Sequence, residues 1–288
     1  METSELLKKV RKIEIKTRGL SRNVFAGEYH SAFKGRGMTF SEVREYQYGD
    51  AIRSIDWNVT ARFNKPFVKI FEEERELTVM LLVDVSASRD FGTHGQFKRD
   101  LMVELAAVLS FSAIQNNDKI GVLLFSDKVE KYIPPQKGKK HILRIIRELI
   151  EFEPESKGTD IAGALQYFNN MVKRRCTAFI ISDFLTDANI KDALSIANKK
   201  HDLVALQIFD KREMEVPNIG LVKLKDAETG KDLWVDTSVK AIRQQVQNNM
   251  NKRQAALRDT FIKTGVDYAV IPTHQDYVIP LMNLFKKR

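Results

Sequence analysis

The sequence predicts an α/β domain with a mostly parallel central sheet and helices on both faces, preceded by an N-terminal arm. Three observations carry this. From about residue 76, short runs of β-branched and aliphatic residues alternate with apolar stripes of helical period, the pattern of βαβ units. The first run, residues 78–83, is apolar almost throughout, as a strand buried on both faces must be. A length of 288 residues with 43% hydrophobic content suffices for one large domain and an appendage.

Residues 1–75 read as the arm and 76–288 as the main domain. Residues 1–16 suggest a short basic amphipathic helix or helix–strand piece, and Gly35-Arg36-Gly37 a turn or loop. Residues 42–58 are dense in charges and aromatics, and residues 67–71 alternate like an exposed strand. This segment has too little apolar content for an independent core, so it is expected to lie against the main domain.

In the main domain, strands are predicted at 78–83, 119–125, 177–182, 203–209 and 268–271. One helical stripe comprises Phe97, Leu101, Leu105, Val108 and Leu109; another comprises Ile142, Ile145, Ile146, Leu149 and Ile150. Leu165, Phe168 and Val172 form a third, and residues 194–197 a shorter one. Residues 128–133, before Pro134-Pro135, suit an antiparallel edge strand. Residues 222–225 and 233–235 flank a turn containing Thr229-Gly230, which predicts a hairpin. A long helix follows with Val239, Ile242, Val246, Met250, Leu257 and Phe261 on one side, and Gly265 is placed to end it.

Composition excludes several function classes. The net charge is +9 and the pI about 9.4. The cations are scattered among 38 acids, and runs such as 137–140 and 173–175 fall at helix edges, where solvated charge is the plain account. Nucleic acid is therefore disfavoured as a partner. The single Cys176 excludes an intramolecular disulfide framework and reads as a structural thiol. The N-terminal residues lack the apolar core of a signal peptide. No stretch reaches the roughly 18–20 apolar residues of a membrane span. The expectation is a cytoplasmic protein without an integral membrane segment, free or peripheral to the inner face of the membrane.

The chemistry concentrates after the first strand, in Asp84-Val85-Ser86-Ala87-Ser88. Ligands of open α/β sheets bind beyond the carboxyl ends of the strands. A carboxylate with hydroxyl oxygens is hard-donor chemistry, suited to magnesium, with calcium or manganese as alternatives, rather than to zinc or copper. Taken alone, the pentad equally fits turn and helix-capping roles. Two more loops strengthen it. Thr159 precedes a helix beginning near Ile161, and Asp183 follows the strand at 177–182. In a parallel sheet Asp84, Thr159 and Asp183 can share one rim. Two carboxylates balance a divalent ion, and a water-occupied corner of its shell can accept an Asp or Glu from another protein. Asp160 and Asp187 are nearby, but suit a first-turn and a surface role.

The set Asp84-x-Ser86-x-Ser88, Thr159 and Asp183 resembles the metal-ion-dependent adhesion site of von Willebrand factor A domains, over roughly residues 76–275. The resemblance implies a Rossmann-like three-layer fold. It also implies that the serines and threonine ligate magnesium, directly or through water, while the aspartates ligate it or orient its waters.

A second stretch is Arg44-x-Tyr46-x-x-Gly49-Asp50-x-x-Arg53-x-Ile55-Asp56-Trp57. Its plain account is a turn at Tyr48-Gly49-Asp50, with Arg44 and Arg53 pairing with Asp50 and Asp56. The stretch resembles the signature of the Domain of Unknown Function 58 family. That resemblance implies an adaptor or chaperone-like factor working with a MoxR-type AAA+ ATPase. Arg44, Tyr46, Asp50, Arg53, Asp56 and Trp57 are accordingly candidates for partner contact or for docking the arm.

Catalytic alternatives are weaker. Asp84 and Asp183 could imitate the acidic pair of a haloacid-dehalogenase-type phosphatase, but the general acid expected two residues on is Ser86. His30, His94, His141, His201 and His274 lack metal-binding spacing, and Ser86 has no evident histidine base. No Gly-Lys-Ser/Thr phosphate loop follows Gly158. The sequence thus predicts a non-enzymatic, magnesium-dependent protein-interaction module.

Overall fold

The computed structural model describes residues 10–11, 13–14, 17, 39–72, 77–92, 97–225 and 232–288. The predicted features at residues 1–9, Gly35-Arg36-Gly37, His94 and Thr229-Gly230 lie outside these. Contacts divide the chain into two units. Lys34–Glu76 forms the smaller, and the described residues Val10, Ile13 and Thr17 go with Leu77–Arg288 in the larger.

The smaller unit is built on two antiparallel strands, β1 (Thr39–Glu45) and β2 (Phe67–Glu72). Between them lie a 3-10 turn, Ile52–Ser54, and helix α1 (Trp57–Phe63). Asp56 caps α1 by accepting from the amides of Asn58 and Val59 at 3.0 and 3.3 Å, which satisfies amides that lack a partner within the helix. Only Val68 is a buried apolar residue among those described here.

The larger unit carries a six-stranded sheet in the order β10-β7-β6-β3-β4-β5. Its strands are β3 (Thr78–Asp84), β4 (Lys119–Phe125), β5 (Val129–Gln136), β6 (Thr177–Ser182), β7 (Asp202–Phe209) and β10 (Asp267–Pro272). All pairings are parallel except β4 with β5. β5 runs through Pro134 and Pro135 rather than stopping before them. It can do so because it is the edge strand, where a missing amide donor breaks no second ladder.

Helices cover both faces, as the sequence predicts. Val79, Leu81 and Val83 of β3 enter one core with α2 (Lys98–Gln115), α3 (Lys139–Glu151) and α8 (Val278–Lys287). Val10 packs there too. Met80 and Leu82 face the opposite core, with α4 (Ile161–Met171), α5 (Lys191–Lys200) and Phe261 of α7 (Lys240–Thr264). Burying each such aliphatic side chain contributes roughly 1.5–3 kcal/mol, so the all-apolar β3 run anchors the sheet. This is a Rossmann-like, three-layer α/β architecture, a mostly parallel sheet between two layers of helices.

Two expectations are corrected. Phe97 is not part of the α2 stripe: it precedes the helix and is 54% exposed. The long helix α7 buries only Phe261 among the residues expected on its inner side. It ends at Gly265, whose φ of 67° is the left-handed conformation that closes a helix. The hairpin forms as β8 (Leu221–Lys225) and β9 (Asp232–Asp236), preceded by a short helix, α6 (Lys211–Met214).

Candidate metal centre

The parallel order places the carboxyl ends of β3 and β6 side by side, because Val83 pairs with Ile181. Asp84 closes β3 and is 1% exposed. Its Oδ1 accepts from the Ser86 amide at 2.9 Å, a local turn that curls the chain back over the strand end. Its Oδ2 accepts from the Ser182 hydroxyl at 2.7 Å. Ser86 and Ser88 then stand on the 3-10 turn Ala87–Asp90 and its entry, with their hydroxyl oxygens hydrogen-bonded 3.0 Å apart.

The second loop is brought in by backbone bonds. The Ala87 amide donates to the Lys157 carbonyl at 3.1 Å, and the Asp160 amide to the Ser126 carbonyl at 2.8 Å. Thr159 therefore lies between two anchor points, one on the Ser86–Ser88 loop and one at the end of β4. Asp160 caps α4, its Oδ1 accepting from the Gly163 amide at 2.9 Å. Asp187 is exposed and pairs with Arg253 at 2.6 Å. Both hold the roles expected of them rather than joining the rim.

Asp183 follows β6 and is 2% exposed. Its Oδ1 accepts from the Leu185 amide at 3.1 Å, and its Oδ2 from the Lys98 ammonium at 2.9 Å. Lys98, the first residue of α2, is wholly buried. It also donates to Glu213 of α6 and lies 5.8 Å over the Phe91 ring. Glu213 completes a capping box with Asp210, whose Oδ2 accepts from Thr273 at 2.8 Å. A chain of buried polar contacts thus runs along the rim from Asp183 to β10.

The electrostatics follow from this packing. Burial, and then the neighbouring Asp183 charge, push the Asp84 carboxyl up to about 6 from 3.8. Burial works to lower the Lys98 pKa, but the charges of Asp183 and Glu213 outweigh it and the ammonium is held. Burial likewise pushes Glu213 up, with Lys98 opposing it in part. A site with two buried carboxylates, one of them hydrogen-bonded among the described residues to neutral donors, favours an added cation.

The donor set fits a hard divalent ion. Metal–oxygen distances of about 2.0–2.1 Å in an octahedron put adjacent corners about 3 Å apart, the separation of the Ser86 and Ser88 hydroxyl oxygens. Among the described residues no cluster of three or more His, Cys, Asp or Glu is placed to bind a metal. Beside Asp183, a groove of about 290 Å³ opens between residues 184–190 and α7, lined by Leu185, Met250, Arg253 and Leu257.

Lys98, Ser182 and Glu213 were not legible as site residues. A lysine opening a helix ordinarily reads as solvated, and Ser182 as strand-end polarity. Of the signature residues, Arg44 and Asp50 pair as expected, with both guanidinium nitrogens on the carboxylate at 2.8 and 2.7 Å. Asp56, however, lies 3.5 Å from Lys69 rather than pairing with Arg53. Tyr46 is half-buried and its amide donates to Pro66, while Arg53 and Trp57 are exposed.

The single cysteine lies away from this rim. Cys176 and His201 sit together at 3.4 Å, buried, just before β6 and β7 and hence at the opposite end of the sheet. Burial pushes the thiol up to about 12 and the imidazole down to about 4, so both are neutral and structural.

Comparison with known proteins agrees with this architecture. The family model described as "Protein of unknown function DUF58" matches residues 42–256. Uncharacterized proteins of Mycobacterium tuberculosis (Rv1480) and Mycobacterium bovis (Mb1516) are each 30% identical over the whole chain and 91% of their own length. An aerotolerance-related membrane protein from Bacteroides fragilis superposes with a TM-score of 0.50 at 14% identity, over 74% of this chain and all of the other. At that identity the likeness is one of fold. The chain belongs to the DUF58 family.

Proposed function

We propose that the protein is a divalent-cation-dependent interaction module, in which Asp84, Ser86, Ser88, Thr159 and Asp183 hold magnesium and a partner supplies an Asp or Glu to complete its shell. When bound, the ion would offer positive charge at the rim to that carboxylate. The protein's own residues do the rest. Ser182 and the Ser86 amide orient Asp84, the turn at 87–90 presents the two serine hydroxyls, and Asp160 fixes the loop that carries Thr159. The groove beside Asp183 gives the partner's flanking residues a surface to lie on.

The observation that carries this reading is the meeting of three distant loops at one rim, with two serine oxygens at octahedral spacing beside a buried carboxylate pushed up to about 6. The working context is that of an adaptor for a MoxR-type AAA+ ATPase in the cytoplasm. The support for it is the signature from Arg44 to Trp57, together with the lack, among the described residues, of any helix long and apolar enough to cross a membrane.

The test is capture of a MoxR-type ATPase by the immobilised protein. Capture in magnesium, lost with EDTA and with Asp84→Ala, supports the reading; equal capture in all three cases contradicts it. A phosphatase reading finds Ser86 where it needs a carboxylic acid, and its hydroxyl already engaged with Ser88. Turnover of an aryl phosphate that depends on Asp84 would favour that rival.

A further inference from the structure

Lys98 is an unusual residue to find at a cation site. It opens an 18-residue helix, α2, where the positive end of the macrodipole disfavours a cation. It has no exposed surface, and burying an ammonium is costly unless it is paired. Both costs are offset here by one arrangement: the ammonium lies between Asp183 at 2.9 Å and Glu213. Its backbone is fixed as well, the Lys98 amide donating to the Phe91 carbonyl at 3.0 Å. Glu213 is itself held by the capping box on α6. The charge is therefore built in, not a surface lysine that has swung inward.

Its consequence lies in charge balance. Asp84 and Asp183 together would neutralise a divalent ion and leave little pull on an external acid. Among the described residues Asp84 accepts from neutral donors, the Ser182 hydroxyl and Ser86, with the buried Arg89 guanidinium acting on it at longer range, whereas Asp183 is in direct contact with an ammonium.

We propose that Lys98 is an internal countercharge to Asp183, which leaves Asp84 as the rim carboxylate with no cation in hydrogen-bond contact among the described residues, so that a bound divalent ion keeps surplus positive charge for a partner's acid. Lys98 is thus a positioning and charge-setting residue. It weakens binding of the ion alone and strengthens its hold on the external carboxylate. The inference rests on the metal reading above and specifies how that site is tuned.

The experiment is titration with Mn²⁺ alone, following the free ion by paramagnetic resonance, on the full chain. Lys98→Met should bind Mn²⁺ at least tenfold more tightly than wild type. Lys98→Arg, which keeps the charge, should stay within about threefold of it. A merely structural lysine predicts the opposite, because loss of order around Asp183 weakens binding. Equal or weaker binding by Lys98→Met, with native circular dichroism, overturns the inference.

Should Lys98→Met fail to fold, Glu213→Gln provides the second test. It leaves Lys98 wholly to Asp183 and should weaken Mn²⁺ binding several-fold; unchanged or tighter binding counts against the inference. Asp84→Ala separates the two levels. If wild type binds Mn²⁺ and Asp84→Ala does not, but Lys98→Met is no tighter, only this inference falls. If neither wild type nor Lys98→Met binds, the metal reading falls with it.

Discussion

The Ser182 hydroxyl donates to Oδ2 of Asp84 at 2.7 Å, joining residues 98 apart in sequence across the ends of two neighbouring strands. The Ser182 hydroxyl oxygen also accepts from the Phe184 amide at 3.0 Å. Ser182 therefore ties the carboxylate to the β6 loop that carries Asp183. Ser182→Ala leaves a buried carboxylate oxygen and a buried amide without this partner. A loss of about 1–3 kcal/mol is expected in urea unfolding, with weaker cation binding. A change below 0.5 kcal/mol, roughly the scale of a neutral surface substitution, would contradict that assignment.

The Asp84 shift sets a pH dependence. Its folded value, about 6, lies above its ordinary 3.8. Between the two, the folded protein holds a proton that the unfolded chain has released. This group's contribution to stability is therefore greatest at low pH and declines as pH rises through about 6. A divalent cation pairs with the ionised form, so the magnesium-induced rise in Tm should be small near pH 5 and level off above about pH 7. A magnesium effect of one size across that range would speak against Asp84 as the ionising ligand.

Gly121 in β4 tests how closely the sheet packs beneath the rim. A Cβ there would stand 2.7 Å from the Met80 sulfur and 2.8 Å from both the Ile133 carbonyl oxygen and the Pro135 nitrogen. Two of these are backbone atoms of β5 and cannot swing aside. Gly121→Ala should destabilise by about 1–3 kcal/mol through overpacking, read from the urea midpoint. A neutral result would mean that β5 yields at this edge.

Asp160 is expected to act as a cap, not as a ligand. Asp160→Ala removes the acceptor for the Gly163 amide and should cost about 1 kcal/mol. Asp160→Asn retains a capping oxygen and should recover most of that stability and all of the cation binding. Failure of the Asn variant to bind, with stability restored, would move Asp160 into the metal's shell.

The strands were legible because burial on both faces writes a continuous apolar run. β4 and β6 fall on their predicted residues, and β3, β7 and β10 differ at their ends only. Helix α8, which contains Pro280, was not among the predicted elements. Pro280 occupies the third residue of the helix, inside the first turn, where a missing amide costs no helical hydrogen bond. The loops carrying Asp84, Thr159 and Asp183 could be proposed from strand ends alone. The meeting of Lys98 with Asp183 and Glu213 could not, because Lys98 and Glu213 are ordinary surface charges in their local sequence and only the packing of α2 and α6 over the rim removes water from them.

Diffraction from crystals soaked in manganese would locate the ion. One anomalous peak is expected at the carboxyl ends of β3 and β6, with the Ser86 and Ser88 hydroxyl oxygens about 2.1–2.2 Å away, near the lengths known for hard cations, and no such peak in Asp84→Ala. A peak only elsewhere on the chain, or an equal peak in the variant, would contradict the metal reading.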